Sequence, residues 1–147
     1  MNAANDPAND SRPTLLVVHH SPTPLLEAVE AAAADVLAAD AYLLGTSANF
    51  GYISGALKHF FDSTFAEVNA ATEAGEIPKG RPVSWWIRGG YDVTGAAKAI
   101  RSLTTGFGWE IAAEPVEFVG EPDDAVNEKL LELGGTMAAL LMDAGGQ

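Results

Sequence analysis

The run Thr14–His20, T-L-L-V-V-H-H, constrains this chain most. A strand with one wet face alternates apolar and polar residues. A short run that stays apolar fits a strand covered on both faces, as in a parallel sheet. Ala41–Gly45 reads as a second buried strand and Val83–Ile87 as a third, with a fourth inside Glu110–Val119. Helical stripes separate them. Leu25, Leu26, Val29, Ala33, Val36 and Leu37 give one to about Ala39, with Thr23 as N-cap and Pro24 at the first helical position. Ile53, Ala56, Leu57, Phe60, Phe61, Thr64 and Phe65 give a second from Tyr52 to about Ala71. A third runs from Thr94 to about Phe107, and Pro122–Met142 closes the chain with Val126, Leu130, Leu133, Met137 and Leu140. Strand and helix alternate, so the expected class is an α/β parallel sheet of about four strands with flanking helices.

At 147 residues this is one domain's worth of chain. Residues 1–13, rich in Asn, Asp and Ala, read as a disordered tail, leaving 14–147 as a single domain. The tail lacks the basic start and apolar stretch of a signal peptide, so the expected setting is cytoplasmic. No apolar run is long enough to span a bilayer. There is no cysteine, which excludes thiolate metal sites, iron–sulfur clusters and cysteine nucleophiles. Eight basic residues stand against 20 acidic ones, a net charge of −12. Such a chain is poorly suited to nucleic acid or an anionic membrane, whose binding needs basic groups. His19, His20 and His59 have no metal-ligand spacing, and neighbours on a strand point to opposite sides. No metal is expected.

In open parallel sheets, ligands sit beyond the carboxyl ends of the strands. Three loops hold that place: Ser21–Thr23, Thr46–Gly51 and Arg88–Asp92. There is no G-x-x-x-x-G-K-[ST], no G-x-G-x-x-G after the first strand and no G-x-S-x-G elbow. Ser21 and Thr23 precede a helix start, where free amides and the dipole favour a phosphate, although an ordinary Thr cap reads equally well. Phe60, Phe61, Phe65 and Leu57 read as core. Trp85 and Trp86 alternate across their strand, each under a helix.

The stretch L-L-G-T-S-A-N-F-G-Y-I-S-G-A-L-K-H-F-F-D, Leu43 to Asp62, resembles the second flavin-contacting loop and following helix of flavodoxin-like FMN reductases and quinone reductases. Their pattern is close to G-T-P-x-x-F-G-x-x-S-G-x-x-K-x-F-x-D. Gly45, Thr46, Phe50, Gly51, Ser54, Gly55, Lys58, Phe60 and Asp62 match it, and Ser47 stands where proline is common. V-V-H-H-S-P-T resembles the family's first strand and phosphate loop, with Pro24 for the glycine and Leu26 for the last threonine. The resemblance implies FMN as cofactor. Ser21 and Thr23 would hold its phosphate. Thr46, Ser47, Ala48, Asn49, Phe50 and Gly51 would meet the ring, with backbone on its edge and Phe50 against it. Arg88, Gly89, Gly90 and Tyr91 would form the third loop, with amides or Arg88 near N1 and Tyr91 towards substrate. No protein side chain is expected to be catalytic. The implied activity passes hydride or electrons from NAD(P)H through FMN to a quinone or similar acceptor. A flavodoxin-type electron carrier docking basic redox partners, or an interaction module that has lost FMN, are the alternatives.

One departure is expected to matter. The family's strand order is 2-1-3-4-5, but Leu25–Asp40 offers room for one helix and no edge strand. Four strands running in order with right-handed crossovers place three helices on one face and only the last on the other. An open first strand and a thinly covered face predict a homo-oligomer.

Overall fold

The computed structural model describes residues 12–20 and 31–145. The elements are β1 (Leu15–His19), α1 (Ala33–Ala38), β2 (Ala41–Asn49), β3 (Tyr52–Ile53), α2 (Gly55–Glu73), β4 (Pro82–Gly89), α3 (Thr94–Gly106), β5 (Glu110–Ile111), β6 (Val116–Val119) and α4 (Asp124–Ala144). β1, β2 and β4 lie side by side in parallel, and β5 and β6 pair in parallel with successive parts of β4. These parallel strands therefore run in chain order from β1, without reversal, while β3 pairs antiparallel with the end of β2. Among the described residues, β1 pairs with no strand other than β2. Residues 1–11 of the tail, and Ser21–Thr23 with the expected helix start, fall outside the described residues; of the helix expected to reach Ala39, the described part is α1, which begins at Ala33 after an extended Ala32.

Alternation along the strands divides the core in two. Tyr42, Leu44, Val83, Trp85 and Ile87 face α1, α2 and α3, where Val36, Leu57, Phe60, Phe61, Val68, Ala96 and Ile100 complete a first cluster. Ala41, Leu43 and Val116 face α4, through Leu133, Met137 and Leu141. Three helices on one face and one on the other is the arrangement that uniform right-handed crossovers dictate.

The structure corrects several boundaries. Thr46–Asn49 is not loop: β2 continues through it, held by β4 as far as the Ala48–Gly89 pair and by β3. Tyr52 and Ile53 are not the start of a helix but a short return strand. α2 begins only after Ser54, whose Oγ accepts from Leu57 N at 3.1 Å. Arg88 and Gly89 belong to β4. The fourth strand is split into β5 and β6 around Pro115, which has no N–H to give a ladder. Phe65 is 43% exposed, one step round α2 from the buried stripe, with its ring edge-on to Phe107 at 5.4 Å.

Arg81, buried at the start of β4, holds the two ends of this layer together. Its Nη1 donates to the carbonyls of Val36 and Leu37 at 3.0 and 3.1 Å and to the Tyr42 hydroxyl at 2.8 Å. Those carbonyls close α1, where a cation also suits the helix dipole. Burial pushes the Tyr42 hydroxyl's pKa up, and the neighbouring guanidinium partly offsets this. Arg81→Met should lower stability by roughly 2–4 kcal/mol, because several charge-assisted hydrogen bonds are lost and their buried acceptors are stranded. Urea unfolding checks this, and an unchanged midpoint would refute it.

Candidate functional site

The carboxyl ends of β1, β2 and β4 converge on one edge of the sheet. There β2 turns back into β3 through two residues, Phe50 and Gly51, with Asn49 opposite Tyr52. Both central residues have positive φ, 51° at Phe50 and 76° at Gly51, as a type I′ turn requires. Glycine enters that conformation freely. Phenylalanine does not: its Cβ crowds the carbonyl at a cost of roughly 1–2 kcal/mol. Phe50 is also fully exposed, so its ring recovers none of that cost by packing. A strained residue held against its preference marks a candidate functional position.

The loop after β4 lies beside this turn. Tyr91 is 88% exposed, a second unpacked aromatic at the same end of the sheet. Around Gly90, as around Gly51, a Cβ would meet open space. Asp92 fixes the loop: its Oδ1 accepts from Thr94 N at 2.9 Å at the start of α3, which holds the carboxyl below its ordinary pKa. The turn and α3 touch closely. A Cβ on Gly95 would stand 2.3 Å from the Gly51 carbonyl oxygen.

The remaining expected residues divide. Thr46 is buried, and its hydroxyl is already engaged, donating to the Ser47 carbonyl at 2.8 Å and accepting from Ser54 N at 2.9 Å. It positions the α2 cap. Ser47 points to the opposite face, and its Oγ is buried without a hydrogen-bond partner. Ala48 is half-buried against the first core cluster, and Asn49 is exposed beside the turn. Gly89 pairs with Ala48 under the loop. The Arg88 guanidinium is turned towards β6, donating from Nε to the Gly120 carbonyl at 2.8 Å and pairing with Glu121. Sequence reasoning missed Asp92 and Gly95, although Asp-x-Thr before a helix is a readable capping pattern.

A second hollow, of 610 Å³, lies between β6 and α4, with Glu114, Glu117 and Glu132 against a single Lys129. Three carboxylates disfavour an anion there. The strand ends instead bring together exposed aromatics, open glycines and the partnerless Ser47 hydroxyl.

A parallel sheet whose main strands follow chain order, with helices on both faces, defines an open-sheet α/β domain. No protein-family model matches the chain, and no curated protein matches it in sequence. Solved structures do match in shape. A flavodoxin from the domain Archaea is 15% identical with a TM-score of 0.65, covering 88% of this chain and 99% of its own. A WrbA-like flavodoxin from Agrobacterium tumefaciens is 16% identical with a TM-score of 0.69, covering 90% and 98%. The rubredoxin oxygen:oxidoreductase of Desulfovibrio gigas, 16% identical with a TM-score of 0.65, aligns over 93% of this chain but only 38% of its own. The fold is flavodoxin-like. Against the order 2-1-3-4-5, the described strands supply 1-3-4-5, with the short β3 and β5 added. Among the described residues, no helix is long and apolar enough to cross a membrane.

Proposed function

We propose that this protein binds FMN at the β2–β3 turn and the β4–α3 loop and passes hydride or electrons from NAD(P)H to a quinone or similar acceptor. One observation carries the reading: Phe50 and Tyr91, both unpacked and one of them strained, stand on adjacent loops at the carboxyl edge of a flavodoxin-like sheet. The residues fit a flavin. Phe50 and Tyr91 offer apolar faces for a planar ring. The open space at Gly51 and Gly90 lets it approach the backbone. Asn49–Gly51 amides and carbonyls would bond its edge, and Ser47 Oγ is a buried hydroxyl in want of a partner. With Arg88 committed to Gly120 and Glu121, stabilising negative charge near N1 falls to the loop amides. Ser21 and Thr23 remain the proposed phosphate holders. FMN, when bound, would supply the hydride and electron transfer, so no protein acid or base is required. Self-association and a cytoplasmic setting belong to the same proposal.

The net charge of −12 favours a second reading, an electron carrier docking basic redox proteins without turnover of its own. Steady-state NAD(P)H oxidation with a quinone separates the two. A protein that stays colourless after incubation with FMN and removal of the free flavin overturns both and leaves an interaction module.

The turn itself provides the sharper test. Asn suits the first position of a type I′ turn far better than Phe. Phe50→Asn should therefore raise the stability of the flavin-free protein by about 1 kcal/mol. It should also weaken FMN about five- to tenfold, the worth of one aromatic stacking contact. Thermal unfolding and quenching of flavin fluorescence read the two effects separately. Undiminished FMN affinity in this variant would remove the flavin from the turn.

A further inference from the structure

We propose that β1 is the two-fold interface of a homodimer. The β1 strands of two copies pair antiparallel, edge to edge, and the apolar strip beside them closes against its own symmetry mate. This deepens the self-association reading by naming the surface.

The two edges of the sheet are treated differently. Along the β5–β6 edge stand Glu110, Pro115 and Glu117, and charges and proline are the devices that prevent strand pairing. β1, Leu-Leu-Val-Val-His, carries no acid, lysine or proline. Among the described residues it pairs only with β2. An edge so unprotected is a template for another strand.

The face beside it is also open. α4, the only helix on that face among the described residues, meets β1 at its C-terminal end. There Leu15, Pro13, Ala138, Leu141 and Met142 line a hollow of 250 Å³. Further along the strand Val17 is 48% exposed, and Met142 at the rim is 78% exposed. An apolar strip running along an unpaired strand gives a partner both backbone hydrogen bonds and side chains to bury.

Charge argues for a second copy over a basic partner. A basic protein would find no carboxylate among the residues that line this hollow. Two copies, each at −12, repel one another over most of their surfaces, and an uncharged strip is where they approach at least cost. Screening by salt should therefore strengthen the dimer, whereas a complex with a basic partner would weaken.

Light scattering after size exclusion tests this. The wild type should have twice the 15.3 kDa chain mass, with the dimer tightening as salt is added. Val17→Asp, which places facing carboxylates at the two-fold axis, should return the mass to that of one chain with an unchanged far-UV circular dichroism spectrum. Because the chain has no cysteine, Val17→Cys supplies a single thiol. It should form a covalent dimer on mild oxidation, while Leu131→Cys, on exposed α4 surface, should not. A wild type of one chain mass at every concentration overturns self-association and the interface together. A dimer that survives Val17→Asp and is not trapped by Val17→Cys overturns the β1 interface alone. Neither readout depends on flavin, so the FMN reading stands or falls separately.

Discussion

Gly45→Ala should cost about 3 kcal/mol, a drop in Tm of roughly 10 °C for a chain of this size. Gly45 faces the α4 side of β2 and pairs directly with Trp86 of β4. The Trp86 indole lies flat across it: a Cβ on Gly45 would stand 2.0, 2.3 and 2.6 Å from Cζ2, Cε2 and Cη2. No side chain fits under that ring. The indole reaches over the glycine towards His19, whose ring centroid is 6.2 Å away, so it covers a corner of the sheet on the α4 face. One added methyl forces Trp86 off this seat and uncovers Leu43 and Trp86 itself. The effect should be specific to the pair. In a Trp86→Ala background, Gly45→Ala should cost far less, and the double-mutant cycle should show a coupling of about 2 kcal/mol. Additive losses measured by urea unfolding would mean that the glycine is needed for some reason other than the indole.

Gly45 also shows what could be read from the chain alone. It was visible only as one matching position in a motif, and its physical reason appeared only when β4 was laid alongside. The α/β alternation was legible because each buried strand is a local apolar run and each helix a local stripe. With the strands taken in chain order, the division of helices between faces followed from crossover handedness, which needs no side-chain detail. Thr46–Asn49 was not legible as strand. Ser, Ala and Asn have little strand preference, and the conformation is imposed by pairing to β3 and β4. Ile53 misled because it sits four residues before Leu57 and so mimics a helical stripe. The site was partly legible. The glycines and aromatics marked the turn and the β4–α3 loop, which the structure brings to one end of the sheet. What Thr46 does could not be seen, since its hydroxyl serves the α2 cap. Nor could the direction of Arg88, which depends on Gly120 and Glu121 across β6.

Gly51→Val should weaken FMN at least tenfold while leaving the fold intact. The reason is the backbone rather than bulk. A Cβ at Gly51 meets no atom within 4 Å, so the space would admit a side chain. The φ of 76° would not: a β-branched residue there is strained by more than the roughly 1–2 kcal/mol that an unbranched one bears. Phe50 already carries strain beside it, so a second strained residue leaves the turn little reason to keep its form. Relaxation would rotate the peptide units of Asn49–Gly51, the groups proposed to bond the ring edge, and would move the Gly51 carbonyl from its close approach to Gly95. The turn residues Phe50 and Gly51 contribute no side chain to either core, so unfolding should remain cooperative. Gly51→Asn is the control. Asn tolerates positive φ, so it should keep affinity within a few-fold although it adds a larger polar side chain. Flavin fluorescence quenching, with thermal unfolding alongside, decides the matter. Equal FMN affinity in wild type and Gly51→Val would place the ring elsewhere. Equal losses in Gly51→Val and Gly51→Asn would show that crowding, not backbone conformation, governs the site.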